Sequence, residues 1–209
     1  MKAFIIMADI IDSSTYPGDE LMEDFKNAVT QINKNNIHHI ASPLTITLGD
    51  EFQGIVKGLN SAISIIFQLD ELTLKSEIDY KLRYVVNYGA VDTEINKKNS
   101  YEMLGEGLTT ARKKIEDLKS SNAEIAILGI EEKTSAKLNI ALRLYRSIYN
   151  DWYQKDKSLV CEFLQDDNYR ALAEKHGRDP SSMWRKKKSL KIEDFKASKE
   201  LIELLANEE

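Results

Sequence analysis

Residues 2–11 read KAFIIMADII, a nearly continuous apolar run rich in isoleucine. A run of this kind is typical of a central strand that is covered on both faces of a sheet. Asp9 interrupts the run near its end, and burying that carboxylate without a partner would cost several kcal/mol. We therefore expect a central strand here, with a partner for Asp9 where the strand ends.

The spacing of apolar residues predicts the elements that follow this strand. Steps of three and four residues predict a helix over 19–35 and another over 59–74. Alternating patterns predict two strands, 44–48 and 52–56, joined as a hairpin with its turn at Gly49 to Glu51.

A further strand at 82–88 completes the order β-α-β-β-α-β. This is the order of the ferredoxin-like, or split β-α-β, sandwich, in which the first and third strands are central antiparallel neighbours. A helix with Leu108, Ile115 and Leu118 on one face and a strand at 124–130 extend it. The sequence thus predicts an α+β fold whose first domain spans residues 1–130.

Residues 131–209 carry only helical patterns, beginning with an apolar stripe through Leu138, Leu142 and Tyr145. The chain has three prolines and no Gly/Ser tract, so no disordered linker is expected between the two parts. We expect an all-helical second domain that packs against the first.

Composition excludes several classes of protein. The 209 residues are 42% apolar and 30% charged, and no apolar run approaches the roughly 20 residues that cross a bilayer. Asp9 and Asp12 interrupt a segment that otherwise resembles a secretion signal, so we expect a cytoplasmic protein with no membrane role. Cys161 is the one cysteine, which excludes an intrachain disulfide and predicts a small buried side chain.

Two aspartates are the first candidates for a functional site. In the split β-α-β arrangement the first strand ends beside the start of the third, so Asp9 and Asp50 should converge. Such a pair commonly binds Mg²⁺ or Mn²⁺ shared with substrate phosphates, and Asp12 and Glu51 could serve in an outer role. The alternative is that Asp50 makes a tight hairpin and Asp9 caps a loop, with no metal.

Four segments resemble, in order, the landmark segments of class III nucleotidyl cyclases: MADII at 7–11, TLGDEF at 47–52, LRYVVNYG at 82–89 and GEGLTTARK at 105–113. The Gly-Asp-Glu-Phe quartet also resembles the diguanylate cyclase signature. This resemblance covers residues 3–130 and implies a cyclase-type palm domain. Over its full length the chain resembles the bacterial SatD family.

The resemblance implies roles for several residues. Asp9 and Asp50 match the two metal-binding aspartates, and Ile10 matches the residue that lends a carbonyl to the metal. Ile46 and Gly49 fall beside the nucleotide, but Ile46 stands where cyclases place the lysine that reads the purine.

The catalytic half of the cyclase pattern is altered. Thr109 replaces an asparagine, and Lys113 replaces the arginine that stabilises the transition state. Arg112 lies one step earlier and would substitute only with a shift of helix register. These departures favour nucleotide binding with weak or absent cyclisation, because a positioned cation can contribute about 10³-fold or more to phosphoryl transfer.

The C-terminal part has the spacing of a helix-turn-helix. Ala173 is followed four residues later by Gly177, and Pro180 would begin a second helix anchored by Met183. The segment 178–191 is strongly basic, which favours contact with a phosphate backbone. The residues predicted to contact DNA are Arg178, Ser182, Arg185, Lys186, Lys187 and Lys188. The alternative is a helical cap with a solvated lysine face.

Three functions remain open from the sequence. The leading hypothesis is a nucleotide-responsive DNA-binding regulator that binds a nucleoside triphosphate with Mg²⁺ or Mn²⁺. The second is an active, metal-dependent nucleotidyl cyclase or nucleotidyltransferase. The third is a protein-interaction scaffold in which both sites are degenerate. The resemblance to cyclases also implies a possible homodimer that pairs two palms.

Overall fold

The apolar run at residues 2–11 forms the central strand, β1 (Lys2–Ile10), in a computed structural model that describes residues 1–47, 49–121 and 123–208. β1 pairs antiparallel with β3 (Glu51–Val56) on one side and with β4 (Leu82–Ala90) on the other. β2 (Ile40–Ile46) lies at the edge beside β3, and β5 (Ile125–Leu128) runs parallel to β4 at the opposite edge. Within the described residues the strand order is therefore β2-β3-β1-β4-β5.

The helices occupy the segments between strands and all of the C-terminal part. They are α1 (Gly18–Asn35), α2 (Leu59–Lys75), α3 (Glu106–Ser121), α4 (Glu132–Asn150), α5 (Gln154–Gln165), α6 (Tyr169–Lys175), α7 (Pro180–Ser189) and α8 (Ile192–Ala206). Among the described residues, none of these helices has the length and apolar character needed to cross a bilayer.

The predicted elements agree with this mixed α+β architecture, with one correction at the hairpin. The turn was expected at Gly49 to Glu51, but Glu51 is the first residue of β3, because it pairs in register with Asp9. Leu48, expected at the end of the second strand, lies outside the described residues. Gly49 occupies the left-handed region with φ of 85°, a conformation that favours glycine in a turn.

Each face of the sheet is buried by a different set of helices. One face packs on α1 and α2, and this core continues without a break through side chains of α4 to α8. The opposite face packs on α3 through a smaller cluster that includes Ile5, Met7 and Val85. The helical part therefore shares one hydrophobic core with the sheet.

A buried ion pair joins the helical part to the rest of the molecule. Arg146 of α4 donates to both carboxylate oxygens of Asp70 on α2 at 2.9 and 3.0 Å, and both side chains are almost fully buried. The hydroxyls of Tyr84 and Tyr145 also donate to Asp70, at 2.7 and 2.9 Å. Burial raises the pKa of both phenols well above the ordinary tyrosine value, so both remain protonated donors.

Arg146→Ala should lower the free energy of unfolding by about 3–5 kcal/mol, because Asp70 would keep a buried charge without its cationic partner. Chemical denaturation measures this loss. The matched control is Arg178→Ala, an exposed arginine of the helical part, which should change stability by less than about 0.5 kcal/mol. Equal effects of the two substitutions would contradict a locking role for Arg146.

Candidate functional site

The ends of β1 and β3 bring the two predicted aspartates to one place. Asp9 lies opposite Glu51 in the antiparallel register, so Asp50, the residue before Glu51, lies just beyond the last pair of the two strands. The Ile10 amide donates to the Asp50 carbonyl at 2.9 Å. Ser13, in a short 3-10 helix at Ser13–Thr15, donates its hydroxyl to Asp50 Oδ2 at 2.6 Å.

Asp9 has two cationic partners. Arg83 Nη1 of β4 lies 3.0 Å from Asp9 Oδ2, and Lys119 Nζ of α3 lies 3.3 Å from the same oxygen. Arg83 also donates its Nε to the Ala123 carbonyl at 3.1 Å, which fixes the guanidinium. Burial raises the pKa of the Asp9 carboxyl above its ordinary value, and the charges of Arg83 and Lys119 oppose that rise.

The partners of Asp9 therefore come from residues that are distant from it in the sequence. Arg83 is distant in sequence but lies directly opposite Asp9 on the neighbouring strand. The partner that a buried Asp9 requires is supplied by β4 and α3 of the same chain.

An open cavity of about 430 Å³ lies in front of these side chains. It is lined by Asp9, Ile10, Ile11, Asp12, Ser13, Ser14, Asp50, Arg83, Lys119 and Glu124. Asp12 adopts a left-handed backbone conformation with φ of 53°, which turns the chain around the cavity rim. Among these described lining residues there are four acids and two bases, so the cavity keeps an excess of negative charge.

The donor set does not match a resident metal ion held by protein side chains alone. Asp9 already shares its oxygens with Arg83 and Lys119, and Asp50 accepts from Ser13. In the part of the chain that the structure describes, no three or more His, Cys, Asp or Glu side chains form a group that could hold a metal. An ion here would need oxygen ligands in addition to these side chains.

The residues matched to the cyclase catalytic pattern are not among those that line this cavity. Arg112 Nη1 of α3 contacts Glu51 Oε1 at 2.8 Å, whereas Lys113 and Thr109 are exposed to solvent. Ile46 is half buried, and its carbonyl accepts from the Tyr101 hydroxyl. The arginine one step before the expected position is thus the one that reaches the hairpin.

A second cavity of about 560 Å³ lies on the helical part, lined by Arg178, Asp179, Ser182, Arg185, Lys186 and Ser189. α6 and α7 meet at a tight turn in which Gly177 is left-handed with φ of 59°. α7 begins at Pro180, and Asp179 caps it by accepting from the Ser181 and Ser182 amides. Met183 is fully buried.

The three consecutive lysines of α7 have different surroundings. Lys187 is buried and pairs with Asp167 at 3.1 Å and Glu193 at 2.5 Å, so its prediction as a DNA contact is corrected. Lys186 is half buried and pairs with Asp156 at 2.7 Å. Lys188 is exposed. Acids from α5, α8 and the segment before α6 therefore reduce the positive charge that the sequence alone indicated.

Sequence reasoning missed Arg83, Lys119 and Glu124 as parts of the first cavity. Arg83 left one usable signal, because a charged residue within an otherwise apolar strand needs a buried partner. Lys119 and Glu124 left none, since they look like ordinary surface residues at the end of a helix and at the start of a strand. Cys161, expected to be buried, is half buried, and burial raises the pKa of its thiol.

Residues 3–205 match a family model described as the SatD family. Among solved structures, the chain is similar to the crystal structure of the guanylyl cyclase Cya2, with 12% sequence identity and a TM-score of 0.41. That similarity covers 61% of this chain and 74% of the cyclase chain. No curated protein matches the chain.

Arg83→Met should lower the free energy of unfolding by about 3 kcal/mol near neutral pH, because it removes a buried cation from Asp9. It should also raise the pKa of Asp9 further above its unfolded value. The folded variant would then bind a proton more readily than the unfolded chain, so the deficit should shrink as pH falls through the raised pKa. Urea unfolding across that pH range measures the effect.

The control for this prediction places Arg83→Met in an Asp9→Asn background. Asparagine does not titrate, so the cost of losing Arg83 should then be independent of pH. A pH dependence that persists in this background would assign the effect to another carboxylate.

Proposed function

The chain belongs to the SatD family, and we propose that it is a nucleotide-responsive DNA-binding regulator. In this proposal residues 1–130 form a ferredoxin-like, cyclase-type palm that binds a nucleotide, and residues 131–209 form a helical domain that contacts DNA. One observation carries the proposal: Glu124, which lines the first cavity, is held by Arg146 and Asn150 of α4. A ligand in that cavity would therefore act on the helix that leads to the basic surface.

The first cavity has groups suited to nucleotide phosphates. Lys119 is partly exposed and can turn its ammonium group toward a ligand. The hydroxyls of Ser13 and Ser14 add donors at the rim. These groups alone would not balance a triphosphate against four acids, so we propose that Mg²⁺ or Mn²⁺ enters together with the phosphates, near Asp9, Asp50 and the Ile10 carbonyl.

The link to the helical part runs through charged side chains at close contact. Arg146 Nε donates to Glu124 Oε2 at 2.7 Å, while its Nη1 holds Asp70. The Asn150 amide donates to both Glu124 oxygens at 2.8 and 2.9 Å. Anionic phosphates beside Glu124 would repel its carboxylate and shift this network. The ligand would then bind one arrangement of α4 more tightly than another, and its binding would favour that arrangement.

We propose that α6 and α7 act as a helix-turn-helix. The buried Ala173, the left-handed Gly177 and the α7 start at Pro180 support this interpretation. Arg178, Arg185 and Lys188 are the exposed bases at this surface, and they would contact phosphates and base edges.

A second function, that of an active nucleotidyl cyclase or nucleotidyltransferase, is favoured by one contact. Arg112 reaches Glu51 at 2.8 Å and is close to half exposed, so the register of α3 brings an arginine to the hairpin beside Asp50. An arginine in that place could stabilise charge on a transferring phosphoryl group. Metal-dependent formation of a cyclic nucleotide that Arg112→Ala abolishes would favour this enzyme over the sensor.

A nucleoside triphosphate should raise the melting temperature of the protein, and Mg²⁺ or Mn²⁺ should increase that rise. At roughly 100 times its Kd a ligand stabilises the folded state by about 2.7 kcal/mol, which corresponds to several degrees. Lys119→Ala should reduce the nucleotide shift itself. Asp50→Asn should remove mainly the part that depends on the divalent ion.

The matched control is Lys114→Ala, which removes a lysine of α3 that does not line the cavity. It should leave both shifts unchanged. A shift that survives both Lys119→Ala and Asp50→Asn would place the nucleotide elsewhere and reject this cavity as its site.

Replacing both Arg185 and Lys188 with alanine should weaken binding to duplex DNA. It should also flatten the slope of log K against log salt by roughly 0.9 for each phosphate that is no longer neutralised. Ser182→Ala should instead change sequence preference more than affinity, since base contacts carry specificity. Fluorescence anisotropy over a salt series measures both effects.

The control is Lys26→Ala, at an exposed position on α1, which should leave DNA binding unchanged. Absence of DNA binding by the unmodified protein at low salt would reject the regulator.

A further inference from the structure

The outer face of α4 and α8 carries large apolar side chains that are about half exposed to solvent. Ile140 and Leu144 of α4 are 52% and 57% exposed, and Leu201 and Leu204 of α8 are 44% and 59% exposed. Each pair has a spacing that places its members on one side of a helix. Such exposure of large apolar groups in two packed helices indicates an interaction surface.

The four side chains form one patch because α4 and α8 are antiparallel neighbours. Lys137 near the start of α4 pairs with Glu208 after α8 at 3.1 Å. Asp151 after α4 pairs with Lys191 before α8 at 2.7 Å. Residues between these two contacts face each other in reverse order. Ile140 therefore lies level with Leu204, and Leu144 lies level with Leu201.

The charges around this patch differ in sign between the two helices. Between Lys133 and Ser147, α4 contains no acid, and its exposed bases are Lys133, Arg143 and Lys137, of which Lys137 pairs with Glu208. On α8 the lysines at 196 and 199 pair with acids of other elements, Asp167 and Glu71. The exposed charges that flank Leu201 and Leu204 are Glu200 and Glu203. One half of the patch is thus bordered by bases and the other half by acids.

We propose that this surface, the α4/α8 face, binds a second copy of the chain as a two-fold symmetric dimer. A two-fold axis parallel to the helices lays α4 of one protomer on α8 of its partner, and both contacts of the isologous interface are then identical. The result is a four-helix bundle with the leucine and isoleucine side chains at its centre. This surface involves neither of the two cavities of the proposed function.

Charge selects this axis over the alternative. A two-fold axis perpendicular to the helices would lay α4 on α4, which brings this basic helix against the same basic helix of the partner subunit. Like charges placed together across an interface oppose association. The axis parallel to the helices instead brings basic α4 against acidic α8, twice in each dimer.

The positions of the residues along the two helices predict one charge pair between the protomers. Arg143 lies beside Leu144 on the side of α4 away from α8, and Glu200 lies beside Leu201 on the side of α8 away from α4. The parallel axis superposes these two outer edges. Arg143 of each protomer therefore meets Glu200 of the partner subunit at the rim of the interface.

The first test measures the oligomeric state of the full chain by sedimentation velocity over a concentration series. The unmodified protein should form a concentration-dependent dimer. Leu144→Glu should raise the dimer dissociation constant by more than about 100-fold, because each dimer would bury two unpaired carboxylates. The matched control is Leu104→Glu, at a leucine 69% exposed in a loop, which should leave the dimer intact.

Two results of this test would overturn the proposal. A monomer at the highest soluble concentration would show that the α4/α8 face does not pair two copies of the chain. A dimer unchanged by Leu144→Glu would place the contact elsewhere, for example between palms. An unaltered circular dichroism spectrum of Leu144→Glu would show that a loss of dimer is not a loss of fold.

A charge exchange tests the axis itself. Arg143→Glu and Glu200→Arg should each weaken their own homodimer by about tenfold, since like charges would face each other at both rims. An equal mixture of the two variants should restore the affinity, because every rim contact in the mixed dimer is again a pair of opposite charges. An unchanged affinity of Glu200→Arg alone would show that Glu200 does not face the partner subunit, and the proposed arrangement would be wrong.

Discussion

The ion pair between Asp70 and Arg146 determines how the two parts of this molecule are joined. A carboxylate at this depth requires a cation and further donors, and Arg146, Tyr84 and Tyr145 supply them from a strand and a helix. Because α2, β4 and α4 each contribute one or more of these groups, none of the three can move independently. The helical part is consequently an extension of the same core rather than a separate body on a linker.

The Asp70–Arg146 ion pair is also connected to the first cavity, because Arg146 contacts Glu124, which lines it. Arg146 has one guanidinium, and it divides its donors among Asp70, Glu124 and the Leu82 carbonyl. Burial alone would favour loss of its proton, but the neighbouring carboxylates raise its pKa above the ordinary arginine value. This permanently charged side chain donates through all three of its nitrogens, so a displacement of Glu124 would disturb its contacts with Asp70 and the Leu82 carbonyl.

The sequence predicted the elements well because their signals are local. The apolar run of β1 and the three- and four-residue steps of α1 and α2 each depend on residues close together in the chain. The convergence of Asp9 with the hairpin followed from strand order alone. Register between distant strands has no such local signal, and the pairing of Arg83 with Asp9 therefore came only from the structure.

The basic segment 178–191 shows a second limit of prediction from sequence. Three consecutive lysines look equivalent in sequence, yet helical geometry turns each by about 100° from the last. Lys187 consequently points into the contact with Asp167 and Glu193, while Lys188 faces solvent. Charge counted along a chain overestimates the field at a surface whenever acids from other elements face the same helix.

The pairing of Asp9 with Arg83 and Lys119 changes what a divalent ion would gain at this site. An aspartate without partners attracts Mg²⁺ through its full charge, whereas Asp9 has two cations within 3.3 Å of Oδ2. The Coulomb energy available to a second cation falls accordingly. Phosphates would reverse this balance, since they draw Lys119 away and supply oxygen ligands of their own. Metal and nucleotide binding at such a site would therefore be cooperative, each raising the affinity for the other.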